Sequence, residues 1–345
     1  MNGVLDFKTK KFYTWDDVDF EYYPIVQIPL EYTCGNVDKM EEIETNILIP
    51  LFGDKIKLAK KFLSRALAGC SEDKNFATYL GNRDCGKGIL NELLDAFGGY
   101  VHSFPVKNIL CERNGNGKET SRDLYWLMEF EYTRLAISQE IPEECKGFKL
   151  QSDKVKMICS GGDTITARRN YDRTDTKFKT QSTMFLMGND AINMEGDVKE
   201  HLLEFSSAVQ YKSKDFINNI IETQGEIASK KYRVADPTLK NKITSNEYKM
   251  AFIQLMMNSY EDKVIQVELE NEISNPLISR FFEEWEITNC LDDIVLGSEL
   301  DYLGKKMKDE LKILGVGYKQ NSKGEYRKKW CFYGIKKKVS NPQNS

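Results

Sequence analysis

A glycine-rich turn with a single lysine is the segment whose residue types point most directly to chemistry. It follows the apolar run 76–80 and precedes a helical pattern over 89–94. This order of strand, loop and helix is the setting of a Walker A loop, in which backbone N–H groups surround a polyphosphate and the lysine contacts its β and γ groups. The predicted ATP-binding residues are Gly81, Asn82, Arg83, Asp84, Cys85, Gly86, Lys87 and Gly88.

The last residue of this loop departs from the Walker A pattern. The pattern asks for Ser or Thr after the lysine, because that hydroxyl ligates Mg²⁺, and this chain has Gly88. A purely structural β-to-α turn is therefore the alternative interpretation of the loop.

Two further apolar runs end in polar residues that suit phosphoryl transfer. Residues 134–139 lead to Glu140, which predicts a Walker B acid that polarises the attacking water or holds Mg²⁺ through a water. Residues 182–187 lead to Asn189, which predicts an amide that senses the γ-phosphate. The alternative interpretation of Glu140 alone is a solvated acid at a strand end, and that of Asn189 alone is part of a turn. Because the carboxyl ends of parallel strands meet in one crevice, their order favours a shared site with Lys87 for ATP and Mg²⁺.

The elements that must position these residues indicate an α/β chain with a mostly parallel sheet. Prolines in the run 23–30 predict an edge strand, and apolar spacing predicts helices over 38–70 and 213–275. Near the end, helices over 277–285 and 298–314 precede strand-like runs at 316–320 and 327–335, which is typical of a winged helix. The predicted domains are a β-rich entry and helical collar at 1–70, the core at 71–212, a helical lid at 213–275 and a basic winged-helix-like domain at 276–345.

Composition and charge set limits on the partners. The chain has 345 residues and a formal net charge of −4, yet residues 301–345 hold twelve Lys or Arg against four Asp or Glu. That basic end predicts contact with DNA phosphates, and a solvated face is the alternative. The eight cysteines include no Cys-x-x-Cys pair and only two histidines accompany them, which argues against a zinc site or disulfide framework. With neither a spanning apolar run nor a signal peptide, we expect a soluble intracellular protein that does not bind membranes.

The block 156–171, between the predicted acid and the predicted sensor amide, gives the sequence a family resemblance. With its Gly161-Gly162-Asp163 centre and the Asn-Gly-Val-Leu-Asp opening at 2–6, the chain resembles superfamily 3 helicases, above all the primase-helicases of poxviruses and other large nucleocytoplasmic DNA viruses. The resemblance covers nearly the whole chain. It implies an AAA+ P-loop core and a ring, expected to be a hexamer, that hydrolyses ATP and moves 3′ to 5′ on single-stranded or forked DNA in viral replication.

The resemblance also assigns roles to residues. Lys87, Glu140 and Asn189 become the catalytic residues, and the block becomes a hairpin that faces DNA in the ring channel. Its predicted DNA-binding residues are Arg168, Arg169, Asn170, Tyr171 and Arg173. Guanidinium groups bind phosphates and a tyrosine offers a surface for base stacking, whereas a solvated basic turn is the alternative.

The resemblance leaves alternatives open for other features of the family. The stretch 196–205 contains no arginine to reach a neighbouring subunit's ATP, so Lys199, Arg168 or Arg173 would have to supply that charge. Relatives often carry a primase region, so we expect either the helicase portion alone or a chain acting beside a separate primase or polymerase. The expected location is the viral replication site in the host cytoplasm, or the host nucleus.

A hydrolysis-impaired nucleotide- or DNA-binding scaffold of the same family is the second hypothesis for the function. A small-molecule P-loop kinase is disfavoured, because the block 156–171 and the basic end would have no role in it.

Overall fold

The computed structural model describes residues 2–18, 25–111, 121, 123–138, 147–159, 161–194, 196–207, 209–263 and 265, together with five strands beyond residue 284. The chain divides into two compact units, Met1–Val267 and Glu268–Ser345. The predicted sites all fall in the first unit.

The first unit alternates strands and helices along most of its length. The strands are β1 (Gly3–Asp6), β2 (Lys11–Thr14), β3 (Phe76–Leu80), β4 (Val101–Phe104), β5 (Leu110–Cys111), β6 (Leu135–Ser138), β7 (Lys149–Leu150), β8 (Thr164–Ala167), β9 (Thr176–Lys179), β10 (Thr183–Gly188), β11 (Leu202–Ser206), β12 (Gln210–Lys212) and β13 (Tyr232–Val234). The α-helices are α1 (Val37–Ile43), α2 (Ile49–Phe52), α3 (Ile56–Ala68), α4 (Lys87–Leu94), α5 (Ser152–Cys159), α6 (Gly196–Lys199), α7 (Lys214–Gln224), α8 (Glu226–Ser229), α9 (Leu239–Ile243) and α10 (Asn246–Asn258). A π-helical turn covers Glu44–Leu48, and 3₁₀ turns cover Gly53–Lys55, Asp95–Tyr100, Val106–Ile109 and Tyr125–Phe130.

A five-stranded sheet forms the centre of this unit, in the order β11-β3-β10-β6-β4. Every neighbouring pair in it is parallel. The strands β3, β6 and β10 are buried along nearly their whole length, because a parallel sheet is covered by helices on both faces. The α/β class with a central parallel sheet is therefore confirmed, and the strands expected from the apolar runs lie side by side.

Two hydrophobic clusters cover the two faces of the sheet. Successive side chains of a strand point to opposite faces, so Tyr79 joins one cluster and Phe76 of the same strand joins the other. The first cluster takes in the collar helices α1–α3 together with α4 and α10. The second takes in α5 and the hairpin β8–β9. The sheet therefore lies between two apolar layers that fix the position of its loops.

The helices predicted over 38–70 from apolar spacing are present over residues 37–68, and their role as a collar stays a prediction. The side chain of Asn36 caps α1 by accepting a hydrogen bond from the N–H of Lys39, and α3 ends at Gly69, whose φ of 85° suits glycine. Helix α10 packs against α1 and α3 with most of its side chains buried. Helix α7, by contrast, buries none of its side chains. Among the four helices described in the segment predicted as a lid, α10 is thus a core helix, because it is apolar on most of its surface, whereas α7 is exposed.

The entry segment differs from its prediction in one place. Strands β1 and β2 form an antiparallel hairpin as expected. Residues 25–30, however, form no strand, so the predicted edge strand is wrong over its described part. Pro29 has no N–H to donate, which weakens strand pairing there.

The second unit is described only by its strands. These are β14 (Trp285–Ile287), β15 (Ile294–Leu296), β16 (Gly317–Gln320), β17 (Trp330–Tyr333) and β18 (Ile335–Lys337). The antiparallel pair β16–β17 coincides with the predicted terminal hairpin. The predicted helices 277–285 and 298–314 lie outside the described residues, apart from Trp285, which begins a strand. The winged helix and the domain boundaries stay predictions.

Candidate nucleotide-binding site

The glycine-rich loop lies between the end of β3 and the start of α4. Its backbone turns back on itself at two residues with positive φ, Asp84 at 65° and Gly86 at 97°. A Cβ on Gly86 would lie 2.7 Å from Cδ2 of Leu51, so glycine is required there by space as well as by φ. A loop of this form directs successive N–H groups toward one point at a helix N-terminus, which is the geometry of an anion cradle.

Lys87 and Asn189 meet at the carboxyl edge of the sheet. Strand β10 lies beside β3, with Gly188 opposite Leu80, so Asn189 emerges next to the loop. The Lys87 Nζ donates to the carbonyl of Gly81 at 2.7 Å, to the carbonyl of Gly188 at 3.4 Å and to Oδ1 of Asn189. Two of the three predicted catalytic residues are therefore in direct contact.

The third predicted catalytic residue, Glu140, lies outside the described residues. Its strand β6 ends at Ser138 and is the parallel neighbour of β10 on the side away from β3. The Oγ of Ser138 accepts a hydrogen bond from the N–H of Met187 at 2.9 Å, which aligns the ends of these two strands.

Gly88 departs from the Walker A pattern without any steric reason. It is the second residue of α4, its φ is not positive, and a Cβ added there would meet no atom within 4 Å. A serine or threonine would fit this backbone. The loop therefore has the shape of a Walker A loop and lacks only the oxygen that would reach a metal ion.

A magnesium ion at this site would depend mainly on the nucleotide. Among the described residues, no group of three or more His, Cys, Asp or Glu side chains could hold a metal. Mg²⁺ commonly keeps several waters and binds through one or two protein oxygens plus substrate phosphates. The Oδ1 of Asn189 and the predicted Glu140 carboxylate are oxygens of this kind, so the residues fit a phosphate-bound ion better than a protein cage.

A cavity of about 970 Å³ opens beside the loop and is large enough for a nucleotide. One wall is the loop itself and a second is the collar, through Thr45, Asn46 and Pro50. A third comes from the segment around β12 and β13, through Tyr211 and Arg233.

Strand β12, in the third wall, forms hydrogen bonds with the glycine-rich loop. The residues of this strand are not among the site residues predicted from the sequence. The N–H of Tyr211 donates to the carbonyl of Asp84 at 2.8 Å, and Nε2 of Gln210 donates to the carbonyl of Arg83 at 3.1 Å. Lys212 binds the Asp84 carboxylate at 2.7 Å, and this hydrogen bond lowers the pKa of Asp84. The alternation of Gln210, Tyr211 and Lys212 resembles any short polar strand, so no local signal marks these residues.

The predicted DNA-binding residues lie together in the turn of the hairpin β8–β9. Its antiparallel register runs from Thr164 opposite Lys179 to Ala167 opposite Thr176. Buried Ile165 and Phe178 anchor the hairpin in the second hydrophobic cluster. The hairpin expected from the resemblance is thus present, with its turn in solvent.

Within this turn the five side chains have different surroundings. Asn170, Tyr171 and Arg173 are exposed, and Tyr171 has a φ of 72°. Arg168 binds Asp175 at 2.8 Å, and Arg169 binds Glu131 at 3.1 Å. The hydrogen bond from Ser121 and the one from Arg168 lower the pKa of Asp175. Both arginines would have to exchange a carboxylate for a phosphate on binding DNA.

Lys199 cannot act on the loop of its own chain. It ends α6, immediately before β11, and β11 runs parallel to β3. The carbonyl of His201 accepts a hydrogen bond from the N–H of Phe76, the first residue of β3. Lys199 therefore lies at the amino edge of the sheet, opposite the phosphate cradle.

The fold and this loop together define an α/β protein with a parallel sheet of the P-loop type. In the described residues, no helix has both the length and the apolar character needed to cross a bilayer.

Comparisons with known proteins give similarity at low sequence identity. No protein-family model and no curated protein matches the chain. Among solved structures, the chain is similar to an apo A form of the NrS-1 C-terminal region, with 13% identity, 68% of this chain and 49% of that chain covered, and a TM-score of 0.44. An apo structure of the NrS-1 C-terminal region (305–718) gives 10% identity, 91% and 79% coverage and a TM-score of 0.45. JCV helicase with a bound acetamide compound gives 10% identity, 65% and 54% coverage and a TM-score of 0.34. The chain thus spans about half the length of the first of these structures.

Proposed function

We propose that this chain binds Mg-ATP and hydrolyses it to move along single-stranded DNA, as a helicase of superfamily 3. The observation that carries the proposal is the meeting of Lys87 with Asn189 at a glycine-rich helix N-terminus, beside a cavity of nucleotide size. Phosphoryl transfer needs mainly positioning and charge stabilisation, and this arrangement offers both.

The chemistry of the bound nucleotide follows from these contacts. Loop N–H groups surround the β-phosphate, and Lys87 exchanges its present oxygen partners for β and γ oxygens. Asn189 would orient a water for attack on the γ-phosphorus, and the bond from that phosphorus to the β–γ bridging oxygen would break as ADP leaves. Glu140 would take the proton of the water, or would hold Mg²⁺ through a second water. A bound Mg²⁺ would supply neutralisation of the phosphate charge.

The hairpin β8–β9 supports the proposed DNA substrate. Its exposed turn places a tyrosine and three arginines within six residues, and its anchored base gives them a rigid support. Guanidinium groups hold phosphates and the tyrosine ring stacks with a base, so binding tolerates any sequence.

The assembly and setting belong to the same proposal. We expect a hexameric ring, 3′ to 5′ movement on single-stranded or forked DNA, and a role in viral DNA replication beside a primase or polymerase. Because Lys199 lies opposite its own cradle, any contact of this lysine with ATP must be made in a neighbouring subunit. The AAA+ class and the cytoplasmic or nuclear location in the host are also part of the proposal.

Gly88 favours a second candidate, a scaffold that binds nucleotide and DNA with little hydrolysis. The missing hydroxyl leaves Mg²⁺ one protein ligand short, although the loop can still hold a phosphate.

One experiment separates the two candidates. ATP hydrolysis and ATP binding are measured with and without single-stranded DNA for the wild type and Lys87→Ala, with Lys57→Ala at an exposed position of α3 as the matched control. The motor requires DNA-stimulated turnover that Lys87→Ala abolishes and Lys57→Ala keeps. ATP binding without turnover supports the scaffold, and undiminished turnover in Lys87→Ala would overturn the assignment of the loop.

A further inference from the structure

Arg134 is a half-buried cation whose charge is not balanced by its described surroundings. It immediately precedes β6, at the amino edge of the sheet, away from the nucleotide cavity. Its Nη1 donates to the carbonyl of Leu67 at 2.9 Å, and its guanidinium lies 4.3 Å from the centre of the Tyr100 ring. Among the described residues, these are its hydrogen bond and its cation–π contact, and no described carboxylate lies within ion-pair distance. A guanidinium has five N–H donors, so most of them have no acceptor among the described residues.

Arg65, a fully buried arginine of the same unit, shows how the charge of a buried guanidinium is usually balanced. Arg65 binds Asp73 through two hydrogen bonds of 2.6 and 2.9 Å and Glu72 through one of 2.7 Å, and it donates to the carbonyl of Glu261. Burial alone would lower the pKa of Arg65, but its bonds to Asp73 raise it. For Arg134, burial lowers the pKa. Arg65 is therefore a paired structural residue, whereas the half-buried guanidinium of Arg134 has no carboxylate partner among the described residues.

The guanidinium of Arg134 borders two cavities under the N-terminal hairpin. The larger, which we name the hairpin cleft, has a volume of about 510 Å³. Its lining residues are Val4, Leu5, Asp6, Phe7, Lys8, Tyr13, Asp17, Val18, Ala68, Cys70, Arg134 and Tyr260. The second cavity, of about 180 Å³, shares Val4, Leu5 and Phe7 with the cleft and adds further apolar side chains. The second cavity has mostly apolar walls, whereas the hairpin cleft is lined about equally by apolar and polar residues, and the two together suit a small amphipathic molecule.

The other charges of the hairpin cleft restrict what Arg134 can bind. The Asp6 carboxylate accepts hydrogen bonds from the N–H of Lys8 and the hydroxyl of Thr9, and Asp17 accepts one from Thr14. The ammonium of Lys8 is already engaged with Asp262 at 3.1 Å. The carboxylates of Asp6 and Asp17 repel a dianionic phosphate more strongly than a monoanion. A ligand with a single carboxylate can accept two hydrogen bonds from the guanidinium of Arg134, and its one negative charge balances the one positive charge.

We propose that the hairpin cleft is a binding site for an apolar molecule or segment that carries one carboxylate, held by Arg134. The carboxylate pairs with the donors of Arg134, and the apolar part lies against Val4, Leu5 and Phe7. Nothing in the proposed ATP chemistry uses this site, which lies at the opposite edge of the sheet.

Calorimetric binding of octanoate tests the proposal, with octanol as the uncharged control. A capped tripeptide, N-acetyl-Ile-Glu-Leu amide, serves as the second probe. Saturable octanoate binding at least tenfold tighter than octanol binding, and weakened at least tenfold by Arg134→Gln, is the expected result. Tighter binding of octanoate identifies a free carboxylate as the natural source, and tighter binding of the peptide identifies an acidic protein segment. Binding of neither probe, or equal binding by Arg134→Gln, would overturn the site.

Two further measurements test the site without relying on the folding of Arg134→Gln. Cys70 lines the cleft and Cys34 is exposed, so octanoate should slow the alkylation of Cys70 and leave that of Cys34 unchanged in the wild type. The labelling is done at alkaline pH, because burial raises the pKa of the Cys70 thiol. Without ligand, Arg134→Met should melt at or above the wild-type temperature, whereas Arg65→Met should melt lower. Equal alkylation rates of Cys70 with and without octanoate would contradict the proposal. Equal decreases of the melting temperature in Arg134→Met and Arg65→Met would contradict it as well.

Discussion

The oxygen partners of Lys87 show what a nucleotide must displace at the level of single residues. Its ammonium group already donates to two backbone carbonyls and the Asn189 amide, so the loop is held in shape by its own lysine. A phosphate that enters the loop would offer Lys87 ionised acceptors in place of neutral ones, so that both partners of each hydrogen bond carry a charge. Binding therefore requires little rearrangement of the loop.

Gly88→Thr should raise Mg²⁺-dependent ATP hydrolysis by roughly tenfold, equivalent to about 1.4 kcal/mol of barrier, because it supplies the missing metal ligand in open space. The matched control is Gly88→Ala, which adds the Cβ without the hydroxyl. Replacing glycine at an unstrained position should stabilise the fold by about 0.4–1 kcal/mol for alanine. Turnover against Mg²⁺ concentration is the measurement, and equal rates for the threonine and alanine variants would show that the hydroxyl is not needed.

At the scale of elements, strand β12 acts as a clamp on the phosphate loop. Lys212→Met should weaken ATP binding roughly two- to fivefold, the range of an exposed ion pair, because it frees the Asp84 carboxylate beside the phosphates. The pKa of Asp84 is lowered in the folded chain, so the ion pair is complete above the ordinary carboxyl pKa and is lost only as pH falls through the lowered value.

The effect of Lys212→Met should thus be the same at pH 6 and pH 8. Titration with a fluorescent ATP analogue measures it, with Lys214→Met at the exposed start of α7 as the control. Equal weakening by both variants would indicate only a general loss of positive charge.

The hairpin β8–β9 gives a second prediction at this scale. In Arg168→Ala with Arg169→Ala, the slope of log K against log salt for single-stranded DNA should fall by about 1.4, since each phosphate contact contributes about 0.7. Fluorescence anisotropy over a range of salt concentrations measures the slope. Lys57→Ala should leave it unchanged, and an unaltered slope in the double variant would exclude these arginines from phosphate contact.

The elements that sequence could predict are those with strong local signals. Strands β3, β6 and β10 are apolar runs buried on both faces, and α3 has the helical spacing of a collar. Strand β12 has only three half-buried residues, and its partner β13 lies about twenty residues later. The glycine-rich loop and the strand end at Asn189 could be predicted because each is a local pattern, whereas the roles of Lys87 and Asn189 stay predictions. The cavity wall at Tyr211 depends on tertiary contacts, which no spacing in the sequence reveals.

At the scale of the whole molecule, the Arg65 cluster ties the first unit together. Arg65 of α3 holds Asp73 and the backbone of Glu261, and Oδ1 of Asp73 also accepts the N–H of Ile265 at 3.2 Å. Asp73→Ala should lower the free energy of unfolding by about 3–5 kcal/mol, because it leaves Arg65 buried with only the more exposed Glu72 as a carboxylate partner. Urea denaturation measures the loss. The exposed Asp54→Ala is the control, and a loss no larger than in that control would argue against a structural role.

The strand order of the central sheet has a consequence for how the chain is made. Strand β3, which leads into the phosphate loop, pairs with β10 and β11, and each partner lies more than a hundred residues later in the sequence. Long-range parallel pairing is slow because the connecting chain must first be closed into a loop. On the ribosome, β3 therefore has both edges unpaired until residue 188 has been synthesised, and one edge unpaired until residue 206 has been synthesised. Truncations that end between β3 and β11 should expose this apolar strand and aggregate, and chains that include β11 should be the first to stay in solution.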